Sequence, residues 1–169
     1  MAQDLSEFQL SPNVVKKIKD KALLKEELIA GKIVQEIIEF SEETMAKLYG
    51  AAYSLFESKR FFEAANAFLF LVSLNPYHPE YWLGLGMASQ LSQDYESAVD
   101  AYELAAIYNI ESPVPYFYLA KCLFAMHDRI SALQALDLAI EAAEDFEEYA
   151  ELKRQALVAR AALLKEEGF

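Results

Sequence analysis

An all-α fold of stacked helix pairs follows from three observations. Side chains of matching size recur at a fixed interval through the middle of the chain. Only five Gly and five Pro punctuate 169 residues, which calls for long helices with short joints. Hydrophobic residues make up 54% of the chain, enough for one domain to bury a core.

The interval is clearest at small residues. Ala64, Ala98 and Ala132 follow one another at a step of 34. The same step links the bulky series Leu48, Trp82 and Tyr116, and the small series Ala52, Gly86 and Ala120. It also links Phe68, Tyr102 and Leu136, and then Leu71, Ala105 and Ala139. This period resembles that of the tetratricopeptide repeat, a helix–turn–helix unit. The second unit carries the signature best, as Trp82-x2-Leu85-Gly86, then Tyr95-x2-Ala98, then Tyr102 and Ala105. Three units are placed at 45–78, 79–112 and 113–146. The resemblance implies a right-handed superhelix.

Each position has a physical reason. Gly86 and Ala98 stand where two helices cross closely, and larger side chains would push the axes apart. Trp82, Tyr102 and their equivalents fill the space between neighbours. A unit leaves one apolar face open until the next unit covers it, so three units make one continuous core. Asn75-Pro76 ends the second helix of unit one. Ser112-Pro113 opens unit three, with Pro113 in a first turn that needs no N–H there. Unit three is weaker, with Arg129 where the others have Phe61 and Tyr95.

Residues 1–40 form an N-terminal helical extension. Ser11-Pro12 starts a helix with Val14, Val15, Ile18, Ala22 and Leu23 among lysines, and Gly31 interrupts it. Ile33, Val34, Ile37 and Ile38 form a second amphipathic piece. The stripe Val15, Ile18, Ala22 and Leu23 either self-associates or packs on the chain's own repeats. Ser41 then caps the first repeat helix, with acids suited to its dipole. Residues 41–169 form the repeat domain, closed by a capping helix over 147–166 with Leu152, Ala156, Ala159, Leu163 and Leu164.

Charge excludes several function classes. The formal net charge is -12, with -1 on residues 1–40 and -11 on the remainder. A phosphate-binding surface needs clustered Lys and Arg, so nucleic acid is not an expected partner. An anionic membrane surface is disfavoured for the same reason. No apolar run is long enough to span a bilayer, and no secretory signal is present. The single cysteine, Cys122, forms no intrachain disulfide and suits a reducing cytosol.

No catalytic or metal site is expected. His78 and His127 lie in turns far apart, without the converging ligands a metal needs. Cys122 is mid-helix with no neighbouring base in sequence. Gly84-x-Gly86 lies inside a helix beside Trp82, where packing explains it better than phosphate binding. The carboxylates Glu141, Glu144, Asp145, Glu147 and Glu148 read as a solvated joint. Neither an enzyme nor a cofactor is predicted.

In this repeat architecture the first helix of each unit lines the concave face. By resemblance, the ligand-facing positions are Ala46, Tyr49, Tyr53 and Phe56; then Glu80, Leu83, Met87 and Gln90; then Val114, Phe117, Lys121 and Phe124. That face is aromatic and aliphatic, the composition of a binding surface. Met87 adapts to imperfect fits. The expected ligand is an apolar peptide with a few spaced anchors. Repeat adaptors that clamp an acidic tail use several Lys, Arg and Asn on this face, and here only Lys121 is basic.

The chain further resembles the class II chaperones of bacterial type III secretion, which serve hydrophobic translocator proteins. The resemblance runs from about Leu28 to Ala143. It rests on Ala30-Gly31-Lys-Ile-Val, Leu48-Tyr49-Gly-Ala-Ala-Tyr53, Tyr81-Trp82-Leu83-Gly84-Leu85-Gly86, Asp94-Tyr95-Glu-Ser-Ala98 and Leu119-Ala120-Lys121-Cys122. It implies a bacterial cytoplasmic chaperone that binds an extended N-terminal segment of a translocator in the concave groove. Cargo would stay soluble and unassembled until export. It also implies homodimers through the N-terminal helices, and often two different cargoes. The alternative is a general tetratricopeptide-repeat scaffold that bridges folded partners.

Overall fold

The computed structural model describes residues 5–165. Residues 1–4 of the expected extension and residue 166 of the expected capping helix lie outside the described residues. Ten α-helices stand among those described: α1 (Pro12–Lys19), α2 (Lys21–Ile29), α3 (Val34–Ile37), α4 (Glu42–Glu57), α5 (Phe61–Leu74), α6 (Pro79–Leu91), α7 (Tyr95–Tyr108), α8 (Pro113–Ala125), α9 (Arg129–Ala143) and α10 (Ala150–Lys165). The helix pairs α4–α5, α6–α7 and α8–α9 are the three repeats.

The 34-residue step is a packing step. Ala64, Ala98 and Ala132 are all fully buried, and Phe68, Tyr102 and Leu136 lie in the core beside them. One buried cluster joins the first two repeats through Met45, Ala52, Phe68, Leu71, Tyr81, Leu85 and Ala101. A second joins the last two through Tyr102, Phe117, Ala120, Leu136 and Ala139, and takes in Ala156 and Leu163 of α10. A Cβ on Gly84 would stand 2.3 Å from the ring of Phe68, and one on Gly86 would stand 2.7 Å from that of Tyr102. Both glycines therefore exist for close approach, as their place in a packed helix requires.

Each repeat turns by the same device. Lys59, Gln93 and His127 have φ of 59°, 65° and 64°, and they too are spaced by 34. In each, the next residue's N–H reaches back over the turn, from Arg60 to Leu55 O at 3.0 Å, from Asp94 to Ser89 O at 2.9 Å and from Asp128 to Leu123 O at 2.9 Å. This is the left-handed helix end that glycine ordinarily occupies. Asp94 and Asp128 then cap the following helices by accepting from Ser97 N–H and Ser131 N–H. Ser112 accepts from Val114 N–H, with Pro113 in the first turn of α8.

The N-terminal helix is shorter than its apolar spacing predicts. It ends at Lys19, and Asp20 starts a new helix by accepting from the N–H groups of Ala22 and Leu23. The stripe Val15, Ile18, Ala22 and Leu23 is therefore split between α1 and α2. Gly31, at φ 82°, follows the end of α2 as expected. Val14 is fully buried, whereas Val15, Ile18 and Leu23 keep a third or more of their surface exposed. Lys17 holds the extension together, donating to Glu39 and to the carbonyl of Ile37. A buried amide chain fixes α3 to the first repeat: Asn75 Nδ2 donates to Gln35 Oε1 at 2.8 Å, and Gln35 Nε2 donates to Glu42 Oε1 at 2.7 Å.

Arg129 has a specific task. The first two repeats have the half-buried aromatics Phe61 and Tyr95 at this phase. Arg129 instead donates from Nη2 to Leu163 O at 2.7 Å, tying the third repeat to α10.

Candidate functional site

The first helices α4, α6 and α8, followed by α10, line one continuous face that carries several hollows. The first hollow, about 200 Å³, lies between α4 and α6. Tyr49, Tyr53 and Phe56 come to it from α4, and Leu83 and Met87 from α6, with Phe68 and Gly84 as floor. Its rings are held in place by edge contacts. Tyr49 meets Phe68 at 5.9 Å between centroids, and Phe56 meets Phe61 at 5.4 Å. Such pairs fix ring orientation and leave the outer edges free for a ligand. An adjoining hollow of about 290 Å³ brings Glu42, Ala46, His78, Glu80 and Tyr81 around the other side of Tyr49. Burial, with Glu80 nearby, pushes the Tyr49 phenol up. Tyr81 is raised by burial and then by Glu42 and Glu80. Both rings act as neutral surfaces.

The second hollow is larger, about 480 Å³, and opens between α8 and α10. Phe117, Lys121 and Phe124 line one wall, and Val158, Ala159 and Leu163 the other. The Lys121 ammonium lies 4.4 Å from the centroid of the Phe117 ring and 5.1 Å from that of Tyr118. Burial raises the Cys122 thiol on the same helix to about 11, so it is a packed neutral group.

A tetratricopeptide-repeat family model matches residues 45–77 and 79–110, the first two units in the frame set by Ala64 and Ala98. The chain is 31% identical over 141 residues to the low calcium response locus protein H of Yersinia pestis, covering 83% of this chain and 84% of the relative. The chain belongs to the tetratricopeptide-repeat translocator chaperones of type III secretion.

Solved structures of such chaperones share the architecture. The Yersinia enterocolitica chaperone SycD, in complex with a peptide of the translocator YopD, superimposes with a TM-score of 0.73 at 28% identity, over 76% of this chain and 98% of that one. A type III secretion complex from Aeromonas hydrophila shares the fold with a TM-score of 0.82 at 23% identity, over 88% of this chain and 99% of its own. SycD is a type III secretion translocator chaperone. Among the described residues of this chaperone, no helix is long and apolar enough to cross a membrane.

Ten of the twelve ligand-facing positions read from sequence gather at these hollows, and Val114 does not. Gln90 does not either: its Oε1 accepts the Tyr102 hydroxyl at 2.7 Å, which ties α6 to α7. Phe117 is only 6% exposed and supports the chamber wall, while Tyr53 and Phe124 are each 49% exposed. The α10 wall of the chaperone's larger hollow was missed, because that helix reads in sequence only as a cap. Its signal was Ala159 and Leu163, which share a face with Ala156.

Proposed function

We propose that this chain holds an extended apolar segment of a hydrophobic translocator protein along the face formed by α4, α6, α8 and α10. The cargo stays soluble and unassembled in the bacterial cytoplasm until export. The observation that carries this reading is the pair of aromatic-walled hollows, with Tyr53 and Phe124 half exposed at their mouths, on a chain of this family. Rigid rings bury large area at low entropy cost, so two such hollows provide spaced anchors for an otherwise irregular peptide. Holding needs no nucleotide and no chemical step: engaging one segment lowers the free population of an aggregation-prone chain by mass action. The chaperone is no enzyme in this reading. Family membership favours it over a general scaffold.

Co-expression with the hydrophobic proteins encoded beside its gene tests this. One of them should become soluble and copurify. Tyr53→Ala combined with Phe124→Ala should return it to the insoluble fraction. Partners that copurify regardless of both changes would instead make the chain a general scaffold.

A further inference from the structure

The two ends of the groove carry opposite charge, and at each end a charge lacks a strong ionic partner. At the α8–α10 chamber two cations line the wall, Lys121 and Arg154. Arg154 is taken: Nε and Nη2 donate to the two carboxylate oxygens of Glu151 at 2.9 and 2.6 Å. Lys121 rests against the faces of Phe117 and Tyr118, and among the described residues no carboxylate forms an ion pair with it. An ammonium over a ring keeps hydrogen-bonding directions open toward the chamber mouth, where an incoming carboxylate can reach it. This happens on a chain of net charge -12, where cations are otherwise outnumbered.

At the α4–α6 end the signs reverse. Glu80 lines both hollows beside Tyr49, and its nearest cation-capable neighbour is His78 Nδ1 at 3.9 Å. Glu42 stands on the same rim and, among the described residues, accepts only from the neutral amide of Gln35. Neither carboxylate has a Lys or Arg partner among the described residues.

We infer that the groove takes its peptide in one direction, with a single Asp or Glu beside the apolar anchor that enters the α8–α10 chamber and a Lys or Arg near the anchor at the α4–α6 end. This rests on the groove reading above and adds to it the charge order of the occupant. One carboxylate next to a bulky apolar residue satisfies Lys121. A run of acids does not fit, because Glu42 and Glu80 repel it further along. Complementary charges of this kind set register and orientation more than affinity.

The probe is a phage-displayed library of random nonapeptides, selected in parallel on the full chain, on Lys121→Glu, on Glu80→Lys and on Tyr53→Ala with Phe124→Ala. The wild type should enrich peptides with an acidic residue flanking one apolar anchor and a basic residue flanking the other. Lys121→Glu should lose the acidic preference and keep the apolar pattern. Glu80→Lys should lose the basic one. The best wild-type peptide should bind Lys121→Glu at least about tenfold more weakly, and added salt should narrow the gap. Identical enrichment on Lys121→Glu, with the wild-type peptide bound within about twofold, overturns the charge assignment while the apolar pattern still depends on Tyr53 and Phe124. If no peptide is enriched, or enrichment is indifferent to Tyr53 and Phe124, the groove reading fails as well.

Discussion

The ring of Tyr102 lies so close to Gly86 that a Cβ on the glycine would stand 2.7 Å from it. The contact joins α6 to α7 inside one repeat, next to the fully buried Ala98. Gly86→Ala should therefore cost about 1–3 kcal/mol by overpacking, and Ala98→Leu a similar amount. Urea unfolding of both variants checks this. A neutral Ala98→Leu would mean that the helices do not cross where the repeat frame puts them.

The aromatic anchors should split by burial. Tyr53 and Phe124 are half exposed, so truncation to Ala should lower cargo affinity by more than about 1 kcal/mol with little change in Tm. Phe117 is 6% exposed, and Phe117→Ala should also destabilise the fold by about 3–5 kcal/mol. Titration calorimetry paired with thermal melts separates the two classes. Equal loss of stability in all three would remove Tyr53 and Phe124 from the binding surface.

The left-handed turn residues offer a stabilising change. Gln93 is an exposed non-glycine at φ 65°. Gln93→Gly relieves the steric cost of that conformation, partly offset by the greater freedom of glycine in the unfolded chain. A gain of about 0.5–1 kcal/mol in chemical denaturation is expected. A loss would show that the Gln93 side chain stabilises the turn in some other way.

Arg129 should govern the last helix alone. Its bond to Leu163 O joins the start of α9 to the end of α10. Arg129→Ala should raise hydrogen exchange in α10 and leave α4 to α7 unchanged. Uniform loosening of all repeats would argue against so local a role.

Alkaline stability follows from two buried groups. Burial raises the Cys122 thiol from its ordinary value of 9.0 to about 11, and pushes the Tyr102 phenol up as well. A folded-state value above the unfolded one gives stability that is complete below pH 9 and is lost as pH rises toward about 11. Urea midpoints measured across that window should fall, and Cys122→Ala should fall less. An equal fall in the variant would show that the thiol titrates as freely in the fold as outside it.

Residues of matching size at a regular step made the repeats legible in sequence. Ala64, Ala98 and Ala132 announce close packing because few other side chains fit there. The turn series Lys59, Gln93 and His127 recurs at the same step but stays silent, since none is glycine and their chemistry is unrelated. The break at Asp20 was hidden for the opposite reason. Apolar spacing on either side suits one continuous helix, and only the Asp20 side chain, caught by two backbone N–H groups, ends it. The hollows were legible at Tyr49, Tyr53, Phe56 and Phe124, where large rings occupy surface phases. The bond between Gln90 and Tyr102 was not legible, because a polar side chain at a surface phase looks the same whether it faces solvent or meets a core tyrosine.

The last helix has two duties in one place. Stacked repeats lose structure from their outermost helices, and α10 is the last of the described helices. It is also half of the chamber beside Lys121, so a peptide seated there would bridge α8 and α10 and hold that helix. An empty chaperone would then be the one with a loosened α10, open to proteases, and a loaded one would be spared. Occupancy becomes lifetime, and the cell would keep only as much chaperone as it has cargo to hold.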